Sequence, residues 1–167
     1  MDAAMNIHPD QVEMVVCSMA AAVEYDVPAN LMLALAEKEG GKPGQYVKNR
    51  NGTYDIGYMQ TNTTYLRDLA KYGITADDVA AAGCYSFELA AWRVRGHLLN
   101  DSGDLWTRAA NYHSRTPTYN ARYRADLIRR ADRWADWLEA RFPTHPYGVQ
   151  PAVTAPAGAL PADTNPR

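Results

Sequence analysis

The stretch "LALAEKEGG" (residues 33–41) places two glutamates at the end of an apolar helix and then stops that helix with paired glycines. Residues 31–36 have almost no polar face, which predicts a helix that is buried on most sides. Apolar residues stand four, seven and eight positions before Glu39, so Glu39 continues the buried stripe. Glu37 lies about 200° around the helix from Glu39. We therefore expect Glu39, rather than Glu37, to be the functional carboxyl.

The position of Glu39 favours a protonated side chain. Burial and the negative field at the C-terminal end of a helix both disfavour the carboxylate, and a carboxyl kept protonated near neutral pH is suited to general acid catalysis. Gly40 and Gly41 have no side chains, so a bulky polymer could approach the carboxyl closely. On this stretch alone, a solvated Glu39 at an ordinary helix end remains the simpler interpretation.

Composition limits the classes of protein that fit. The chain has 167 residues, of which 47% are hydrophobic and 22% charged, and this predicts one globular domain. A net charge of -2 argues against a nucleic-acid-coating protein, and the arginines within 115–141 are interleaved with acids, as on a solvated helix face. We expect no transmembrane helix and no signal peptide, because the apolar stretches are short and the first residues lack a basic region.

Helical signals follow one another along the chain, and strand signals hardly appear. The patterns predict an all-α fold with helices over 10–25, 28–41, 62–72, 75–82, 86–100, 104–113 and 117–142. Residues 42–61 are predicted to form a Gly- and Asn-rich loop with a short extended piece at most. Six of the ten prolines lie within 143–167, which predicts a disordered Pro/Ala-rich tail after a domain at 1–142.

Helical spacing also predicts which side chains form the core. In the first helix the predicted buried stripe is Val12, Val15, Val16, Met19 and Val23. In the last helix it is Tyr119, Tyr123, Leu127, Ala131, Trp134 and Leu138. Four tryptophans could stack on sugar rings, but their helical spacing favours the core for most of them: Trp92, Trp106, Trp134 and Trp137.

A second motif, "NRNGTYDIGYMQTN" (residues 49–62), follows the first. With "LALAEKEGG", "ANYHS" (110–114) and Tyr123, it resembles the lysozyme-like lytic transglycosylases, specifically the small group that accompanies conjugation and type III or type IV secretion systems. The resemblance covers about residues 15–130, and the Gly-x-Met-Gln element at 57–60 is its most specific part. It implies a single lysozyme-like domain of about six helices with a Gly/Asn-rich active-site loop.

The resemblance assigns roles to individual residues. Glu39 would be the catalytic acid and base, Gln60 and Tyr112 would line the cleft, Met59 would form its floor, and Tyr123 would hydrogen-bond near the acid. Further substrate-binding candidates are Asn51, Asp55 and His113. This chain has Gly40 where the family usually has serine and His113 where it usually has asparagine. A solvated His113 is therefore as plausible as a functional one.

Cys17 and Cys84 are too few for a disulfide scaffold and too isolated for a zinc site, and from the sequence alone they could be two unrelated buried thiols. Secretion-linked members of the family carry cysteines at the corresponding places, so the resemblance implies a disulfide and a periplasmic site of action. We expect no signal peptide, however, and that expectation argues against a periplasmic site of action. The four histidines have no metal-ligand spacing, and we expect no metal and no cofactor.

The implied function is that of a monomeric peptidoglycan lytic transglycosylase. It would cleave the bond between N-acetylmuramic acid and N-acetylglucosamine, form a 1,6-anhydro ring, and serve a conjugation or secretion apparatus; we expect no nucleic-acid partner. Two alternatives remain open. One is a hydrolytic, phage-type lysozyme on the same fold with Asp55 as second carboxylate, although an Asp in a Gly-rich turn more often bonds its own backbone. The other is an inactive peptidoglycan-binding assembly module.

Overall fold

The computed structural model describes residues 6–142, and the predicted tail at 143–167 lies outside the described residues. The α-helices of this part are α1 (Val12–Glu24), α2 (Ala29–Glu39), α3 (Thr63–Leu69), α4 (Ala76–Ala80), α5 (Tyr85–Asn100), α6 (Leu105–Ala110) and α7 (Pro117–Arg141). Two 3-10 turns cover Pro9–Gln11 and Ala70–Tyr72, and three strands are β1 (Tyr46–Lys48), β2 (Tyr54–Ile56) and β3 (Thr61–Asn62). The fold is predominantly helical as predicted, and the small sheet corrects the all-α expectation.

Helix α2 is the centre of the core. Each of its residues from Leu31 to Ala36 is at most 2% exposed, as the absence of a polar face predicts. The helix packs between α1 and α7, while α5 packs against α1 and α6. Gly40 follows in the left-handed conformation, with φ +59°, and ends the helix directly after Glu39.

The three strands form an antiparallel sheet in the order β1-β2-β3. Asp55 pairs with Val47 on one side and with Asn62 on the other. Strands of two or three residues are too short to show the alternating pattern by which a strand is read from sequence, so the segment looked like a loop. Side chains stabilise the sheet, because the Asn62 amide donates to Asp55 at 2.8 Å. The Asn62 oxygen accepts from Thr64 N at 2.9 Å and so caps α3.

The predicted stripe of α1 is largely wrong. Val12, Val16 and Val23 are exposed, Val23 by 84%, whereas Val15 is buried as predicted. The helix instead buries a face made mostly of small residues: Met14, Val15, Cys17, Ser18, Ala21 and Ala22. Small side chains let two helices approach closely, which explains why this face, and not the valines, packs against α2.

The stripe of α7 is confirmed at its centre and wrong at its start. Tyr123, Leu127, Ala131 and Trp134 are buried, but Tyr119 is 56% exposed and lines a surface cavity. Among the tryptophans, Trp134 and Trp137 belong to the core, as expected. Trp92 does not, since it is 45% exposed on α5.

A disulfide joins Cys17 in α1 to Cys84, the residue before α5, across 67 positions of sequence. The pairing that the resemblance implied is thus present. Within residues 6–142, no helix has both the length and the apolar character needed to cross a bilayer.

Candidate active site

Glu39 lies where two surface cavities adjoin. One cavity, of about 410 Å³, is lined by the sheet, α5 and the segment after α6; the other, of about 350 Å³, is lined by the N-terminal part of α7. Glu39 and His113 line both of them. The two cavities therefore form one cleft, with the Glu39 carboxyl at its middle.

The surroundings of Glu39 keep its carboxyl protonated near neutral pH. Burial is the largest cause and raises the pKa of Glu39 to about 7. A hydrogen bond from the Tyr123 hydroxyl to Oε1, together with the charges of Lys38 and Arg93, acts in the opposite direction, while Asp55 adds a smaller rise. A carboxyl with this pKa can both donate and accept a proton at neutral pH.

Lys38 is fixed beside this site. Its Nζ lies 2.6 Å from Asp126 Oδ2 and 4.6 Å from the centre of the Tyr123 ring. Hydrogen bonds from Lys38 and Arg129 hold the pKa of Asp126 well below its usual range. The ion pair keeps the ammonium group close enough to lower the pKa of Glu39 without a direct bond to it.

Glu37 faces α7 instead of the cleft. Its Oε1 lies 3.1 Å from Arg130 Nη1 and 3.1 Å from Arg133 Nη2, and Trp134 Nε1 donates to Oε2 at 3.1 Å. The different surroundings of the two glutamates follow from their angular separation on α2. Glu37 thus binds two arginines and a tryptophan of α7, and Glu39 contacts none of these three side chains.

Asp55 lines the same cavity as Glu39. Both of its carboxylate oxygens accept hydrogen bonds, from Asn49 Nδ2 at 3.0 Å and from Asn62 Nδ2 at 2.8 Å. The expectation that Asp55 bonds its own backbone is wrong. Asp55 lies within β2 rather than in a turn, so its neighbours are side chains of adjacent strands and of the hairpin.

Gln60 and Tyr112 line this cavity, as the resemblance implied, but Met59 does not form its surface. Gln60 has a positive φ of 48°, and its Nε2 donates to the Gly57 carbonyl at 2.9 Å. The Met59 side chain is fully buried in the core, and its carbonyl accepts from the Tyr112 hydroxyl at 3.0 Å. Met59 therefore supports the cleft from beneath through Tyr112.

Gly41 serves the protein's own packing. A Cβ on Gly41 would lie 1.9 Å from the Gly57 carbonyl oxygen and 2.6 Å from Gln60 Nε2. We expected a bound polymer to approach the paired glycines closely, but the segment that approaches Gly41 is the protein's own loop that carries Gln60. Gly40 remains exposed beside Glu39.

His113 and Tyr123 stack on each other at the boundary of the two cavities. Their ring centres are 4.7 Å apart and their planes differ by 6°. Burial and, to a lesser extent, the charge of Lys38 lower the pKa of His113. An uncharged His113 thus covers one face of the phenol that bonds Glu39.

Asn51 is exposed and its side chain oxygen accepts from Thr53 N at 3.1 Å, so it stabilises the hairpin and does not line the cavities. Several residues that line the two cavities were not predicted from the sequence: Lys38, Asn49, Asn62, Arg93, Tyr119 and Arg122. Asn49 and Asn62 are the first and last residues of the 49–62 motif, and their place in that motif could have marked them as cavity residues. Nothing in the spacing along α5 marks Arg93.

In the part of the chain that the structure describes, no group of three or more His, Cys, Asp or Glu side chains is arranged to bind a metal ion. No family model matches the chain. Over 101 residues the chain is 28% identical to Invasion protein IagB of Salmonella typhimurium, a match that covers 60% of this chain and 62% of IagB. Over 119 residues it is 29% identical to Protein IpgF of Shigella flexneri, covering 68% of this chain and 78% of IpgF.

IagB and IpgF are distant relatives of this chain. The chain spans less than two thirds of the length of IagB, so the match concerns a part of that protein.

Proposed function

We propose that this protein is a peptidoglycan lytic transglycosylase with a lysozyme-like fold, and that Glu39 is its catalytic acid and base. The observation that carries the proposal is the Glu39 carboxyl itself. It lies in the middle of an open cleft, and its pKa of about 7 allows it to be protonated at neutral pH. An open cleft that extends on both sides of one acid suits a polymer that continues past the bond to be broken.

The proposed reaction uses Glu39 twice. The protonated carboxyl donates its proton to the oxygen that links N-acetylmuramic acid to N-acetylglucosamine, and the bond breaks through an oxocarbenium-like state. The carboxylate then takes the proton of the muramyl C6 hydroxyl, whose oxygen attacks C1 and closes the anhydro ring. The acid is regenerated, and no water is consumed. Charges of Lys38 and Arg93 stabilise the carboxylate between the two steps.

Neighbouring residues would position the sugar. Gln60 and Tyr112 are fixed by hydrogen bonds to the backbone of the 57–60 turn, at Gly57 and Met59, so their side chains form a rigid wall of the cleft. Such preorganisation is what binding a strained muramyl ring requires.

We place the protein in the periplasm, working with a conjugation or secretion apparatus. The disulfide supports an oxidising compartment, and the similarity to IagB, an invasion protein, supports a role with a secretion apparatus. Cleavage would then open the wall locally for that machine.

A hydrolytic lysozyme is the second candidate, because Asp55 lines the same cavity as Glu39. Asp55 could stabilise the cation or position a water molecule. The hydrogen bonds from Asn49 and Asn62 favour a structural carboxylate, since they occupy both oxygens. The two candidates differ in their product, a reducing sugar for the lysozyme and an anhydro sugar for the transglycosylase.

The assignment of Glu39 is tested by Glu39→Gln with Glu37→Gln as the matched control. We expect Glu39→Gln to lower the clearing of peptidoglycan embedded in a gel by about 10²–10⁴-fold, because the amide cannot transfer the proton. Glu37→Gln should retain most activity, since Glu37 faces α7 and the amide can still accept from Trp134. Circular dichroism would check that both variants fold. Equal loss in two folded variants would contradict the assignment.

A further inference from the structure

A second groove lies on the far side of Arg93 from Glu39. It encloses about 620 Å³ along the outer face of α5, between α3 and the segment before α7. Arg93 lines both this groove and the cavity that contains Glu39. A molecule bound in the cleft could therefore extend a side branch past Arg93 into the groove.

Three guanidinium groups line the groove, those of Arg93, Arg95 and Arg115. One of the two acids there, Asp101, is already neutralised, with Arg115 Nη2 at 3.1 Å and an Asn111 amide at 2.8 Å. Within residues 6–142, Arg95 makes no hydrogen bond and no ion pair. The second acid, Asp68, also lines the groove and lies near Tyr65, so three guanidinium groups face two carboxylates and the groove carries one excess positive charge.

Aromatic rings hold the Arg93 guanidinium in the wall between the groove and the cleft. The guanidinium carbon of Arg93 lies 4.0 Å from the centre of the Tyr65 ring and 4.5 Å from that of Tyr112. Tyr25 and the half-exposed Trp92 add further aromatic surface to the groove. Guanidinium groups held in a fixed plane bind carboxylates well, and aromatic walls suit a short peptide with apolar side chains.

We propose that this groove binds the free carboxylates of the stem peptide on the muramyl residue while the glycan strand lies in the cleft. The inference rests on the proposed function, because it takes the peptide from the glycan that Glu39 would cut. The peptide branches sideways from the muramyl ring, as the groove branches from the cleft at Arg93. Its D-glutamate and its C-terminal residue supply the carboxylates, and Arg95 is the free group that would bind one of them.

The test measures binding of a free stem tetrapeptide, without sugar, by NMR titration of the full chain. We expect saturable binding by the wild type and about tenfold weaker binding by Arg95→Gln, the loss of one charge-assisted hydrogen bond. Arg95→Lys, which keeps the charge, should bind with intermediate affinity. Arg129→Gln is the matched control, because Arg129 is an exposed arginine on α7 outside the groove, and it should bind like the wild type.

Two further ligands identify the source of the carboxylate. The same peptide with amidated carboxyls should bind as weakly to the wild type as the free peptide binds to Arg95→Gln. N-Acetylmuramic acid, whose lactyl carboxylate is free only on muramyl residues that carry no peptide, should bind no more weakly to Arg95→Gln than to the wild type.

Equal binding of the free peptide by wild type and Arg95→Gln would overturn the proposal, as would tight binding of the amidated peptide. A muramic acid affinity that depends on Arg95 would assign the groove to the lactyl group instead and would equally overturn it. The titration needs no turnover, so a wild type that binds the peptide but clears no peptidoglycan would refute the proposed cleavage and keep the groove.

Discussion

The pKa of Glu39 depends on its burial at the end of α2 and on residues that lie far away in the sequence. The apolar stripe of α2 predicts its burial, and burial is the largest cause of its raised pKa. The opposing influences come from Tyr123 on α7 and Arg93 on α5. The contact with Tyr123 followed from a family resemblance, while the influence of Arg93 could not be predicted, because nothing in the sequence of α5 shows which of its two arginines, Arg93 or Arg95, faces Glu39.

The balance at Glu39 predicts a pH profile. In the proposed reaction Glu39 must be protonated to act, so kcat/KM should fall as the pH rises through about 7. Tyr123→Phe removes a hydrogen bond that stabilises the carboxylate, so the pKa of Glu39 should rise and the fall should move to higher pH. Initial rates across the pH range measure the midpoint. Tyr119→Phe, on the same helix, should leave it in place, and an unmoved or lower midpoint in Tyr123→Phe would refute the argument.

At the scale of elements, the sequence predicts the long helices well and the 42–61 segment poorly. Helices of eleven or more residues, such as α2 and α7, show enough periods to be read. The strands are too short to show a period, and the sheet is stabilised by hydrogen bonds from the Asn49 and Asn62 amides to Asp55. The valines of α1 were misassigned because periodicity ranks residues by hydropathy, whereas close helix packing selected the small ones.

The junction between α2 and the 57–60 turn can be tested at Gly41. Gly41→Ala would place a Cβ 1.9 Å from the Gly57 carbonyl oxygen, and backbone must move to accommodate it. We expect the free energy of unfolding to fall by about 1–3 kcal/mol, the usual cost of overpacking. Urea denaturation measures this. Gly96→Ala is the control, since a Cβ in the middle of α5 meets no atom within 4 Å and should leave stability equal or raise it by up to about 1 kcal/mol. Equal stability of Gly41→Ala and the wild type would show that this junction is loose.

At the scale of the whole molecule, the disulfide connects α1 to the start of α5 and so closes a loop that contains α2, the sheet, α3 and α4. The pairing could not be derived from two isolated cysteines, and the family resemblance supplied it. The position of the cleft likewise depends on the packing of α2 against α7, which no local pattern encodes.

Removal of the disulfide should destabilise the entire fold. For a separation of 67 residues the chain-entropy model gives about 4 kcal/mol, so Cys17→Ser with Cys84→Ser should lower the free energy of unfolding by roughly that amount. Thermal and urea denaturation measure it, and wild type treated with a reductant should behave like the double variant. A double variant as stable as the oxidised wild type would contradict the prediction. Alkylation of periplasmic protein without reductant, read by mass, checks that the bond forms there.

Whether Glu39 alone drives an intramolecular transfer can be decided from the masses of the muropeptides released from purified peptidoglycan. We expect fragments that end in anhydro-muramyl residues, each lighter by one water than a hydrolysis product. Glu39→Gln should release almost none, and Asp55→Asn should lose less activity than Glu39→Gln, through disorder of the sheet. Fragments dominated by reducing ends, with Asp55→Asn as inactive as Glu39→Gln, would replace the transglycosylase with a lysozyme; no release by the folded wild type would leave a binding module.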